Sequence, residues 1–152
     1  MRNDMAQDQL IRDSFEVVHE MPEAIAMLFY GRLFNLEPSL RGLFKIDMHT
    51  QSRKLMDMLT SVVDSLEQFD RMRPALRELG RKHALEYGVK PEHYRVLMEA
   101  LLWAFAQALQ PHFYPETKAA WKAVLEDITK EMLAEATPVQ SGQPETPAPK
   151  PT

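Results

Sequence analysis

The chain contains no cysteine, which excludes disulfides, thiolate metal sites and cysteine nucleophiles at once. It also lacks any apolar run near the ~20 residues that a membrane span needs. Residues 1–9 are polar, with no apolar stretch of the kind a secretory leader carries, so the expectation is a soluble protein of the cytoplasm. No cluster of lysine and arginine offers a phosphate-neutralising surface and the net charge is -4, which argues against nucleic acid as a partner. No segment alternates apolar and polar residues long enough to make a strand, and there is no internal repeat. Several catalytic signatures are missing too: a His-Glu-x-x-His zinc motif, a Gly-x-Ser-x-Gly elbow, a Walker loop and a dinucleotide fingerprint.

What is present is helical periodicity punctuated by proline. With 152 residues, 45% of them hydrophobic and 26% charged, the chain can bury one core and reads as a single domain. Ile11, Phe15 and Val18 mark a first amphipathic helix over 8–20, ended by Pro22. Pro22 opens a second, to about residue 36, and Pro38 a short third that ends near Phe44. A connector follows in which Asp47 is a turn or cap residue. Leu55, Met58, Leu59, Val62, Val63 and Leu66 predict a long helix over 50–68. Pro74 is expected to start a shorter helix that bears His83 and ends at Gly88, which is free to turn left-handed. Further helices open at Pro91 and Pro115, the last with Trp121, Val124, Leu125, Ile128 and Met132 on its inward face. Past Ala136 prolines crowd a stretch almost without large apolar residues, and the expectation is a globular domain over 1–136 with a disordered tail over 137–152.

Within this all-α frame a few residues point to chemistry. Leu76, Leu79 and His83 fall at i, i+3 and i+7, so the imidazole closes an apolar stripe. On spacing alone it reads more readily as a satisfied core or boundary histidine than as a ligand. Tyr30 and Gln51 lie on inward faces, where an unpaired polar group costs roughly 1–3 kcal/mol. Either their polar ends reach water, or something polar waits for them. His49 falls on a different face from Gln51, and His19, His93 and His112 have no metal-ligand spacing.

The order Tyr30, Pro38, Phe44, Gln51, Leu55, His83, a long helix near Pro91 and a final helix with Trp121 resembles the globins. More narrowly, Leu28-Phe29-Tyr30-Gly31-Arg32-Leu33-Phe34, Gln51-Ser52-Arg53-Lys54-Leu55 and Gly80-Arg81-Lys82-His83 are similar to single-domain bacterial haemoglobins related to the flavohaemoglobin haem domain. The resemblance implies a globin fold of seven to eight helices around haem b, with His83 as the proximal iron ligand. It places Phe44 against the porphyrin, Tyr30 and Gln51 as distal hydrogen-bond donors, and Leu55 in the distal wall. Lys54 falls near a propionate, and Tyr94 behind the proximal histidine. Phe44 and Leu55 also read as ordinary core residues, and Lys54 as a solvated charge. The segment from His83 to Tyr94 is one residue longer than the family spacing. The carboxylate that would join Tyr94 falls near Ala136, with Glu131 and Glu135 out of register, so a full proximal triad is not implied.

The implied function is reversible binding of O2, CO or NO at ferrous haem, for transport, storage or sensing. The alternative is nitric oxide dioxygenation to nitrate, which uses an electron each cycle. The chain shows no flavin or nicotinamide site, so turnover would require a separate reductase as partner. A monomer or weak homodimer is expected. A third alternative is a globin-shaped domain without haem that acts through protein contacts.

Overall fold

Prolines and one aspartate divide the chain into its helices, as a computed structural model describing residues 5–43 and 47–141 shows. Helix α1 (Met5–His19) is followed by α2 (Pro22–Leu36), which opens on proline where a helix has no use for the missing N–H. A 3-10 turn (Pro38–Leu43) comes next. Helix α3 (Met48–Asp64) begins at a true cap: the Asp47 carboxylate accepts from the Thr50 N–H at 3.0 Å and from its hydroxyl at 2.9 Å. A second 3-10 turn (Leu66–Gln68) leads into α4 (Phe69–Lys82), which runs on as a single π turn (His83–Tyr87). Helices α5 (His93–Leu109) and α6 (Pro115–Ser141) complete the described chain, in which there is no strand.

Two predicted starts are corrected. Helix α4 begins at Phe69, with Pro74 inside it. An interior proline costs about 3 kcal/mol, a figure matched by the burial of Phe69, which is worth up to about 3 kcal/mol. Arg73 adds to this by lying 4.9 Å over the Phe69 ring and pairing with Asp70 at 2.8 Å. Helix α5 starts at His93 rather than Pro91, because Pro91 sits in a turn closed by the Lys90 N–H donating to His93 Nδ1 at 3.0 Å. At the far end α6 continues past Ala136 to Ser141, and residues 142–152 of the expected tail lie outside the described residues.

The packing is helix on helix: α4 against α6, α2 against α5 and α3, and α1 against α6. Trp121 of α6 is fully buried, with its ring 4.7 Å from that of Phe105 and its Nε1–H donating to Ser14 Oγ at 2.8 Å. Where α4 crosses α6, Glu131 accepts from Arg73 at 2.6 Å and Arg77 at 2.9 Å. Gly80 marks the closest approach there, since a Cβ at this position would collide with the Met132 backbone carbonyl. That obstacle is main chain and cannot swing aside. Alanine at Gly80 gains about 1 kcal/mol of helix propensity, but prying the helices apart costs about 3 kcal/mol. The expected result for Gly80→Ala is a net loss of about 2 kcal/mol, read as a lower urea midpoint at unchanged m-value.

Candidate functional site

His83 stands where α4 gives way to the π turn. Its Nδ1 lies 2.9 Å from the Leu79 carbonyl oxygen, which can only accept, so Nδ1 carries the proton and Nε2 keeps its lone pair. The backbone is fixed as firmly as the ring. The His83 carbonyl accepts from the N–H of Gly88, which turns left-handed at φ 69°, and from the N–H of Val89 at 3.1 Å. A π turn encloses one residue more per hydrogen bond than an α turn.

Burial lowers the His83 pKa from its ordinary 6.5; the Leu79 bond opposes this and the nearby Lys82 and Lys54 add to it. The imidazole is therefore neutral at pH 7. Because the folded value lies below the unfolded one, the stability it contributes is present above about pH 6.5 and is lost as pH falls through the folded value. In the haem-free protein, His83→Gln is expected to flatten the fall in stability below about pH 6.5, measured by urea midpoints. Glu131 titrates lower still. Burial pushes its carboxyl up, but Arg73 and Arg77 outweigh this and hold it below its ordinary 4.5.

Tyr30 of α2 and Gln51 of α3 are both buried, each 5% exposed. The Tyr30 ring packs edge-on against Phe29 at 4.7 Å and stacks on Phe34 at 6.0 Å. Its hydroxyl donates to the Gln51 backbone carbonyl at 3.4 Å, long for an O–H···O bond. Burial raises the Tyr30 pKa well above 10.0, so the phenol keeps its proton. Gln51 Nε2 is buried and has no hydrogen-bond partner among the described residues. Leaving a donor in that state costs roughly 1–3 kcal/mol.

These three side chains line one cavity of about 400 Å³. Its walls are otherwise mostly apolar, drawn from α2, α3, α4, α5 and α6, and include Phe29, Leu55, Met58, Leu79, Leu97, Met98 and Leu101. Of these, Leu55, Met58, Leu79, Leu97 and Met98 are only partly buried although they belong to inward stripes, because the face they turn to is the cavity.

The cavity also gathers Lys54 and Tyr94, together with Tyr87, Lys82, Asp57 and Val89, which sequence reasoning did not single out. Tyr87 was findable: it lies four residues beyond His83 and so shares its face. Its ring meets the imidazole edge-on at 5.4 Å, and Lys54 Nζ donates to its hydroxyl at 3.4 Å. Tyr94 is buried, and its phenol is pushed up to about 12. Glu131 is engaged by Arg73 and Arg77, while His83 takes its second-nitrogen contact from a carbonyl. Phe44 lies outside the described residues.

A globin family model matches residues 28–132, the span that contains every one of these side chains. The chain belongs to the globin family. Among curated relatives this globin is 27% identical over 117 residues to a flavohemoprotein of Bacillus subtilis, covering 75% of this chain and 29% of that one. It is 26% identical over 144 residues to a flavohemoprotein of Halalkalibacterium halodurans, covering 88% of this chain and 35% of that one. It therefore spans about a third of the length of these relatives. Among solved structures, a bacterial globin from Campylobacter jejuni superposes with a TM-score of 0.75 at 24% identity, covering 90% of this chain and 99% of that one. An engineered carbene transferase from Rhodothermus marinus, RmaNOD, superposes at 0.79 with 25% identity, covering 91% of this chain and 97% of that one.

Membership in this family implies haem binding, and the globin's own residues fit that group. A single neutral imidazole in an apolar slot, with lysines at its rim, suits a flat macrocycle that brings its own four nitrogen ligands. Among the described residues no group of three or more His, Asp or Glu side chains could hold a bare ion. No described helix is long and apolar enough to cross a membrane.

Proposed function

We propose that residues 1–136 bind haem b with His83 as the axial imidazole, and that the chain reversibly binds O2, together with CO and NO, in the cytoplasm as a monomer or weak homodimer. The observation that carries this reading is the buried, partnerless Gln51 Nε2 in the wall of the cavity that also holds His83. A purely structural core would have no reason to leave that donor unmade.

Bound haem supplies the coordination position at which a diatomic ligand sits; the chain supplies everything around it. His83 offers Nε2, with the ring orientation fixed through Nδ1 and Leu79. Gln51 presents an N–H and Tyr30 an O–H, donors that would hydrogen-bond a ligand carrying partial negative charge. Phe29, Leu55 and Leu101 keep bulk water from competing for those donors. Lys54 and Lys82 at the rim suit the propionates.

Nitric oxide dioxygenation is the second reading, supported by the flavohemoprotein relatives and the Rhodothermus marinus structure. It shares the same donors and adds a requirement for an electron per turnover, and hence a reductase as partner. The deciding experiment is haem reconstitution followed by gas titration. One haem per chain with a sharp Soret band that changes reversibly with O2 is expected, and a colourless product overturns the proposal. With the chain alone, NO consumption is expected to stop near one equivalent per haem. Continuous consumption on adding a flavin reductase and its nicotinamide donor moves the assignment to the second reading.

A further inference from the structure

On the outer side of α2, away from the cavity, a solvent-open cleft of about 500 Å³ lies against α5 and the first 3-10 turn. Arg32, Arg41, Asn35 and Trp103 line it, with Gly31 and Phe34. Both guanidiniums rest face-down on rings: Arg32 Cζ lies 4.9 Å from the Trp103 centroid and Arg41 Cζ 4.7 Å from that of Phe34. A ring under the face of a guanidinium steadies it but uses none of its N–H donors, which project from the edge. Arg32 Nε is buried and has no hydrogen-bond partner among the described residues.

Carboxylates are plentiful in a chain of net charge -4, and Arg12, Arg73, Arg77 and Arg81 each hold one. Among the described residues Arg32 and Arg41 hold none. Glu37, which lies between them in sequence, accepts instead from the Ser39 hydroxyl at 2.6 Å.

We propose that this cleft is a binding site for a phosphate group, clamped between the guanidinium edges of Arg32 and Arg41. Two unit positive charges match the ≈ -1.5 to -2 charge of a phosphate monoester at pH 7, whereas one carboxylate would leave a cation unanswered. The phosphate oxygens can meet the terminal N–H groups of both guanidiniums together. Asn35 adds an amide at the edge of the cleft. The site is independent of the haem proposal, since none of its residues lines the cavity that holds His83.

The chain has two tryptophans, one in the cleft and one in the core, and their indole N–H resonances make the test. In the 15N-labelled full-length protein at constant ionic strength, inorganic phosphate is expected to move the Trp103 indole peak with half-saturation at about 1 mM or below. The Trp121 peak is expected to stay in place. Arg32→Gln and Arg41→Gln should each weaken the response at least about tenfold, with an unmoved Trp121 peak showing that the core is intact. Tighter binding of glycerol 3-phosphate than of inorganic phosphate assigns the site to a phosphomonoester; equal binding assigns it to the free ion. No Trp103 shift up to about 20 mM phosphate, an equal shift with acetate, or an undiminished response in both arginine variants overturns the site.

Discussion

Replacing His83 with alanine is expected to remove the axial ligand, so that the reconstituted protein loses its sharp Soret band and releases haem, while far-UV helix content is kept. The fold should survive because His83 is only partly buried and its side chain makes one hydrogen bond, to a carbonyl of its own helix. The neighbouring contacts that hold the π turn belong to the His83 backbone, which alanine retains. Millimolar imidazole added to the variant should restore the axial bond, because the substitution opens a space of the same shape beside Tyr87. Rescue would separate loss of the ligand from loss of the fold. An unaltered Soret band in His83→Ala without added imidazole would show that another group binds the iron and would end the assignment.

How much of this was legible in the sequence follows from which forces act locally. The cap at Asp47, the proline at the start of α2 and the left-handed Gly88 are decided within a turn of chain, and each stands where the pattern puts it. Pro74 is the contrary case. Locally it is a helix starter, but Phe69 has a core to enter and Arg73 covers its ring, so the helix forms ahead of the proline. Tertiary burial overrides local preference wherever the two differ by less than a few kcal/mol.

The candidate site divides in the same way. His83, Tyr30 and Gln51 were legible because a polar side chain on an apolar stripe is conspicuous. Leu55, Met58 and Leu97 were not separable from core residues, since periodicity says that a residue faces inward but not whether it meets another side chain or a cavity. The proximal carboxylate was a question of register between α4 and α6, which no local pattern carries. Gly80 sets that crossing against Met132, and the crossing delivers Glu131 to Arg73 and Arg77. Among the described residues the Leu79 carbonyl is what meets Nδ1, and a carbonyl lends the imidazole less negative charge than a carboxylate would.

Tyr30→Phe is the sharper test of the distal assignment, and O2 dissociation is expected to speed up tenfold or more. The phenylalanine keeps the ring between Phe29 and Phe34, so packing hardly changes and only the O–H is lost. In the wild type that proton points at the Gln51 carbonyl over 3.4 Å, a bond weak enough to exchange for a charged acceptor in the cavity. Burial keeps the phenol protonated across the working pH range, so the donor is always available. A hydrogen bond to a charged acceptor is worth about 1.5–3 kcal/mol, and about 1.4 kcal/mol is already tenfold in a dissociation rate. Gln51→Leu should raise the rate by a similar factor, because its Nε2 is the other donor and begins with no partner to give up. CO, which gathers far less negative charge on its outer atom, should leave both variants at nearly the wild-type rate. Equal effects on O2 and CO would mean that the substitutions opened an escape route instead of removing a hydrogen bond, and unchanged O2 rates in both would remove Tyr30 and Gln51 from the ligand altogether.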